Sequence, residues 1–285
     1  MSLGSLTLGL VVLGILFGIL ERIFPGVSGQ RLFRQGRGTD VAYWFFTPLV
    51  TRALSRGALI AAVLLLALRA RVPLDAAHIQ AFLARGGRGS TFAQVVFVLL
   101  LGDLIGYLVH RLFHRRFLWR FHAVHHSSVE VDWLSSVRLH PVNDLVSRLA
   151  QVLPFVLLGF NPFLLAAYLP FLTVHALLLH ANLSWTFGPL RYVVSSPAFH
   201  RWHHTTQAEG LDTNFAGLFP FIDLLFGTFY MPEGRRPEAF GIRGEAVPEG
   251  LFGQLAYPFT RRPGLSAGGE PGPPAGVLKQ GRAEA

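Results

Sequence analysis

The chain has 285 residues, 51% of them hydrophobic and 14% charged, and its net charge of +9 is carried almost wholly by arginine, Lys279 being the single lysine. This apolar excess excludes an ordinary soluble globule and points to a membrane protein, while the absence of cysteine excludes disulfides and thiolate metal sites. A nucleic-acid binder would gather its basic residues into a stripe on a soluble domain; here Arg31, Arg34 and Arg37, and again Arg111, Arg115, Arg116 and Arg120, flank apolar runs as residues that anchor helices at a lipid surface do.

Leu3 to Leu20 is an uninterrupted apolar run of membrane-crossing length. It lacks a basic leader and a small-residue cleavage site, so it reads as a retained helix rather than a signal peptide. Glu21 to Asp40, with Pro25, four glycines and four arginines, reads as a basic loop on the cytoplasmic side. Val41 to Ala70 is apolar again but carries Pro48, Thr51-Arg52 and Ser55-Arg56. One long helix fits it, and so does a re-entrant turn followed by a span at Gly57 to Leu68. Arg71 to Ser90 reads as a loop; its basic stretch, Arg85-Gly-Gly-Arg-Gly, falls outside if each run crosses once, against the positive-inside preference.

Phe92 to Val109 leads without a break into His110. Within it Asp103 is ionisable at membrane depth and so a functional candidate; two helical turns separate it from His110, which places it on the face of His110 and His114. Ser127 to Asn143 is mixed and carries Glu130, Asp132, Arg138 and His140. Leu145 to His180 is apolar except at Gly159-Phe160-Asn161-Pro162. That break predicts a hairpin of two helices, each of about 15 to 18 residues, which returns His180 to the face carrying His110 to His126. Trp185 to Tyr230 has no membrane-length run and is expected on the cytoplasmic face. Residues 262–285, rich in proline, glycine and charge, are expected to form a disordered tail beyond a single integral-membrane domain over 1–261.

Eight of the twelve histidines fall in three clusters: HRLFH (His110, His114), HAVHH (His122, His125, His126) and HRWHH (His200, His203, His204). On a helix, spacings of three and four place imidazoles on one face, near enough to share a metal, while the adjacent pair in HxxHH diverges. One cluster can thus serve two metals, and eight histidines exceed what one tetrahedral zinc uses. Their number and membrane setting suit two irons and oxidation of a lipid C–H bond, chemistry that protein groups do not perform unaided. His78, alone in a loop, reads as solvated. His140 and His175 read either as ligands or as supports of ligands, and Asp103 as a group that orients a metal-bound His110 through its second ring nitrogen. A zinc-dependent membrane hydrolase, with Glu130 or Asp132 as base, and a non-enzymatic metal-binding membrane protein stay open as alternatives.

HRLFH, HAVHH and HRWHH, in this order and with an apolar hairpin between the second and third, resemble the sterol desaturase and fatty acid hydroxylase superfamily of membrane di-iron enzymes. The likeness extends over about residues 92 to 230, including HHSSVEVDWLSSVRLHP, as in bacterial members, LHANLSWTFGPLRYVVSSPAFHRWHH and DTNFAGLFPFIDLLFGTF. It implies an all-α membrane protein with about four transmembrane helices, one hairpin among them, and a helical cytosolic cap carrying a histidine-rich di-metal site. It also implies the ligands: His110, His114, His122, His125, His126, His180, His200, His203 and His204. His175 stays outside this set, because the extra ligand of some members falls at Ala176. Asp212 and Asn214 match a family Asp-x-Asn pattern expected to bond a ligand histidine or fix the cap. Further implications are two Fe ions, O2 as co-substrate, a lipid substrate in the bilayer, a site facing the cytoplasm, and a bacterial inner-membrane location. His140-Pro141 continues as Val142-Asn143 and not as the HPGG of a fused cytochrome b5 domain, so electrons are expected from a separate ferredoxin, cytochrome b5 or reductase.

Overall fold

The computed structural model describes residues 2–83, 89–160, 162–244 and 246–260. Arg85 to Arg88 of the basic loop and the tail over 262–285 lie outside the described residues, which are helical or irregular apart from two isolated bridges, Pro25 to Leu183 and Thr205 to Phe240.

Helix α1 (Leu3–Ile23) opens at Ser2, whose hydroxyl accepts the Ser5 amide at 3.2 Å. Only Leu6 and Phe17 of this helix are buried, while Leu8, Val11, Ile15 and Ile19 point outward. Such a helix needs lipid around it. Next, α2 (Arg37–Phe46), a π turn (Thr47–Thr51) and α3 (Arg52–Arg69) run on as one helix of 33 residues. Of the two readings for 41–70, the long helix is the one observed. Pro48 has no amide hydrogen to give, and the ladder widens into the π turn around it instead of breaking. The segment read as a loop over 71–90 contains a short helix, α4 (Ala76–Leu83). Its overlooked signal was Asp75, whose carboxylate accepts the His78 amide at 3.0 Å.

Helix α5 (Thr91–Phe113) starts at a Ser90 cap and hands over to α6 (Arg116–His126). A 3-10 turn follows (Trp133–Val137), opened by a capping box between Asp132 and Ser135. The expected hairpin is α7 (Pro141–Leu157) and α8 (Pro162–His180), and the cap carries α9 (Pro197–His203), α10 (Phe221–Leu225) and α11 (Leu251–Ala256). Where about four spans including a hairpin are expected, three helices among the described residues are long and apolar enough to cross a membrane: Leu3–Ile23, Arg37–Arg69 and Thr91–Phe113. The hairpin adds a shorter apolar stretch, Ala167–His180.

Two apolar cores set the site. Phe17 stacks on Trp133, centroids 5.4 Å apart, within a core that includes Leu134, Leu177, Ala181 and Leu183, so α1 is packed against the end of α8 and the turn after α6. Val98, Val152, Phe155 and Tyr168 join α5 to the hairpin. The closest approach there is at Gly102, where a methyl group would run into the Tyr168 ring and hydroxyl. Gly102→Ala is expected to destabilise by about 1–3 kcal/mol, an overpacking cost, read as a lower melting temperature in detergent that Tyr168→Phe partly restores.

Arg34, expected to anchor at the lipid surface, is instead only 4% exposed. Its guanidinium lies 2.6 Å from Asp40 and 2.8 Å from Asp132, and Arg138 reaches Asp40 from the other side at 2.6 Å. This four-residue network ties the segment after α1 to the one between α6 and α7.

Candidate metal centre

The nine expected ligands lie in two groups. His110, His114, His122, His126 and His203 form one, and His125, His180, His200 and His204 the other; within each, one nitrogen per ring lies within 4.8 Å of all the rest. No cysteine or carboxylate joins either group among the described residues. Local folding delivers these rings. His110 and His114 end α5, His122 to His126 fill the last turns of α6, and His180 ends α8. Ser196 caps α9, accepting the Phe199 amide at 3.2 Å, and Pro197 opens it, so that His200, His203 and His204 follow on one turn.

The outer nitrogens are held by oxygen. The Nδ1–H of His110 donates to the Phe215 carbonyl (2.9 Å), that of His122 to Asn143 Oδ1 (2.7 Å), and that of His203 to the Thr213 carbonyl (2.7 Å). In the second group His125 donates to the Arg138 carbonyl (3.1 Å) and His180 to the Ala176 carbonyl (2.8 Å). His114 Nδ1 is 2.9 Å from Asp212, whose carboxyl is held below its usual range chiefly by that hydrogen bond. Each bond spends the ring's one proton on the outside and turns the Nε2 lone pair inward.

This produces contacts that hydrogen bonding does not explain. His110 Nε2 is 3.0 Å from His122 Nε2, and His125 Nε2 is 3.1 Å from His180 Nε2. With both Nδ1 atoms committed, each of these pairs sets lone pair against lone pair, one pair per group. His114 Nε2 is likewise buried without a hydrogen-bond partner. A cation held in each group would remove the repulsion. Burial, reinforced by neighbouring imidazoles, pushes His122, His125, His126, His200, His203 and His204 well below the usual histidine range, so they are neutral, as ligation requires.

Other expected roles need correction. Asp103 does not touch His110. Its carboxylate accepts the amides of Gly217, Leu218 and Phe219 at 3.0, 2.9 and 2.7 Å, fixing the loop whose Phe215 carbonyl holds His110. Asp103→Ala removes the acceptor of all three amides, at about 1–3 kcal/mol for the buried Leu218 amide alone; the expected result is a lower melting temperature and weaker metal retention, measured by elemental analysis after dialysis. His140 neither joins a group nor supports a ligand: it caps α7, with Nδ1 accepting the Val142 amide at 3.2 Å, and packs on Phe121 and Phe259. His175 lies 3.1 Å from the Gly217 carbonyl, outside both groups, and His78 pairs with Asp75. Asp132, the base considered for a hydrolase, is taken by Arg34.

Asp212 and Asn214 both hold positive φ, 53° and 58°. Asp212 meets His114, while Asn214 bonds the Phe199 and Tyr230 carbonyls and the Tyr230 amide, so it fixes the cap. The groups that sequence reasoning missed are Asn143 and the backbone carbonyls. Asn143 sits two residues after Pro141 in no marked motif, and a carbonyl carries no residue identity to read.

Residues 95–228 match the fatty acid hydroxylase family. The chain is 37% identical over 147 residues, 51% of its length, to the ornithine lipid hydroxylase OlsE of Rhizobium tropici, covering 44% of that protein. It is 30% identical over 165 residues to the alkylglycerol monooxygenase of Caenorhabditis elegans, covering 58% of this chain and 32% of that one. Identity to the very-long-chain aldehyde decarbonylase GL1-7 of Oryza sativa subsp. japonica is 28% over 121 residues, 38% of this chain and 18% of the relative. The matches thus span less than half the length of these relatives. No solved structure matches. The nine histidines gathered into the two groups all lie inside residues 95–228, the segment that is similar to the fatty acid hydroxylase family.

Proposed function

We propose that this is a membrane di-iron oxygenase that uses O2 and external electrons to hydroxylate, or desaturate, a C–H bond of a lipid, whether fatty acyl, sterol or isoprenoid, or ether lipid. The observation that carries it is the pair of facing lone pairs, His110 against His122 and His125 against His180, which calls for a cation in each group. The relatives' names, ornithine lipid hydroxylase and alkylglycerol monooxygenase, support the reaction class and a lipid substrate.

Iron bound in the two groups would supply dioxygen activation and C–H oxidation, which side chains alone do not provide. The chain's part is to hold nine neutral rings at fixed orientation, with the carbonyls of Phe215, Thr213, Arg138 and Ala176 as stops, and to bury them from water. Electrons would come from a separate donor of ferredoxin, cytochrome b5 or reductase type. Residues 1–261 act as one integral-membrane unit with the site facing the cytoplasm, in a bacterial inner membrane.

Metal analysis combined with O2 uptake in the presence of lipid and reductant tests the reading. Two irons per chain with lipid-dependent uptake are expected. Full lipid turnover by a zinc-loaded protein without O2 would overturn it.

A further inference from the structure

Beyond the histidines, α9 presents a second face. Arg201 and Trp202 turn away from the metal groups and line a separate cavity of about 350 Å³, within the roughly 300–1,000 Å³ usual for ligand clefts. Four arginines border it, Arg191, Arg201, Arg235 and Arg236, against one acid, Glu233. Ser184 and Thr186 add hydroxyls to the wall.

Arg201 is the unusual member. It is 2% exposed, with Nη1 donating to the Val131 carbonyl at 2.7 Å and Nη2 lacking any hydrogen-bond partner. Glu21 and Asp132 are near enough to moderate its charge, yet neither accepts a hydrogen bond from it among the described residues. A buried guanidinium with unspent donor capacity is costly unless an anion completes it. The rim arginines are only lightly engaged. Arg191 pairs with Glu233, whose side chain is 81% exposed, Arg235 pairs with Glu209 at the surface, and Arg236 rests 3.4 Å from the Pro25 carbonyl. Exposed pairs of this kind contribute little and yield readily to a better acceptor.

Height selects the source of the anion. Gly26, in the cavity wall, follows the end of the α1 span by three residues, and Trp185 packs on Phe24 beside it at 5.7 Å, the belt position of an interfacial aromatic. We propose that this cavity binds the phosphate oxyanion of a lipid headgroup. The site stands apart from the oxygenase reading, because it requires neither metal nor turnover.

The test is native mass spectrometry of the full chain in detergent, titrated with dioleoyl phosphatidic acid, with dioleoyl phosphatidylcholine, and with inorganic phosphate. Phosphatidic acid is expected to bind at least tenfold more tightly than phosphatidylcholine. A triple variant, Arg191→Gln, Arg235→Gln and Arg236→Gln, is expected to lose that preference by tenfold or more while keeping its metal content. Arg201 is left in place because its burial makes its removal a folding risk. Binding of inorganic phosphate as tight as that of the lipid would support the oxyanion site and overturn its assignment to a headgroup. Unchanged lipid preference in a metal-replete triple variant would overturn the proposal altogether.

Discussion

His125→Ala is expected to leave the chain with one tightly held metal in place of the two proposed for the wild type, and to lower lipid turnover by more than about 100-fold. The lower bound follows because loss of a group that merely orients a ligand already costs 10–100-fold in affinity or activity. His125 is one of four rings in its group, and its removal leaves three, with His180 deprived of the neighbour 3.1 Å from its Nε2. The five-ring group keeps every member. Elemental analysis per chain after exhaustive dialysis reads the outcome directly; two retained metals with full turnover would show that His125 is no ligand. A graded companion is Asn143→Leu, which removes the acceptor of His122 Nδ1 and a part-buried hydrogen bond to Ser147 but no ring. It is expected to weaken the five-ring group alone by 10–100-fold.

The second large effect is structural. Asp40→Ala should cost about 3–5 kcal/mol, the usual penalty for stranding a buried charge, because Asp40 is fully buried and accepts from both Arg34 and Arg138. Arg138 also lends its carbonyl to His125, so the loss reaches the metal site. A steep fall in melting temperature is expected, with metal lost first from the four-ring group. Pairing Asp40→Ala with Arg138→Met should recover part of the stability, since Arg138 is the cation left without its acid while Arg34 keeps Asp132. A melting temperature unchanged in the single variant would refute the network's role.

Much of this site was legible because ligation leaves residue-level marks. Imidazoles at helical spacing single out eight histidines, the apolar hairpin broken at residues 159–162 returns His180 to their face, the family resemblance completes the set of nine, and the structure brings those nine together. What could not be read was anything held by main chain. Asp103 was correctly singled out as an ionisable group in an apolar helix, but its partners are three amides over a hundred residues away, so it was assigned to the wrong neighbour. Arg34 failed for a related reason: an arginine after an apolar run looks alike whether it faces headgroups or a buried aspartate. Pro48 argued for a break, yet a π turn absorbed it.

The way the two groups share their helices has a final consequence. HAVHH sends His122 and His126 to one group and His125 to the other, while HRWHH sends His203 to the first and His200 and His204 to the second. Neighbours in sequence, 125 beside 126 and 203 beside 204, thus straddle the gap between the centres. The spacing between the two groups is therefore inherited from helical pitch. Removing a single residue inside either box would scramble both centres together. By contrast, α1 packs beside the site and contributes no ring to either group.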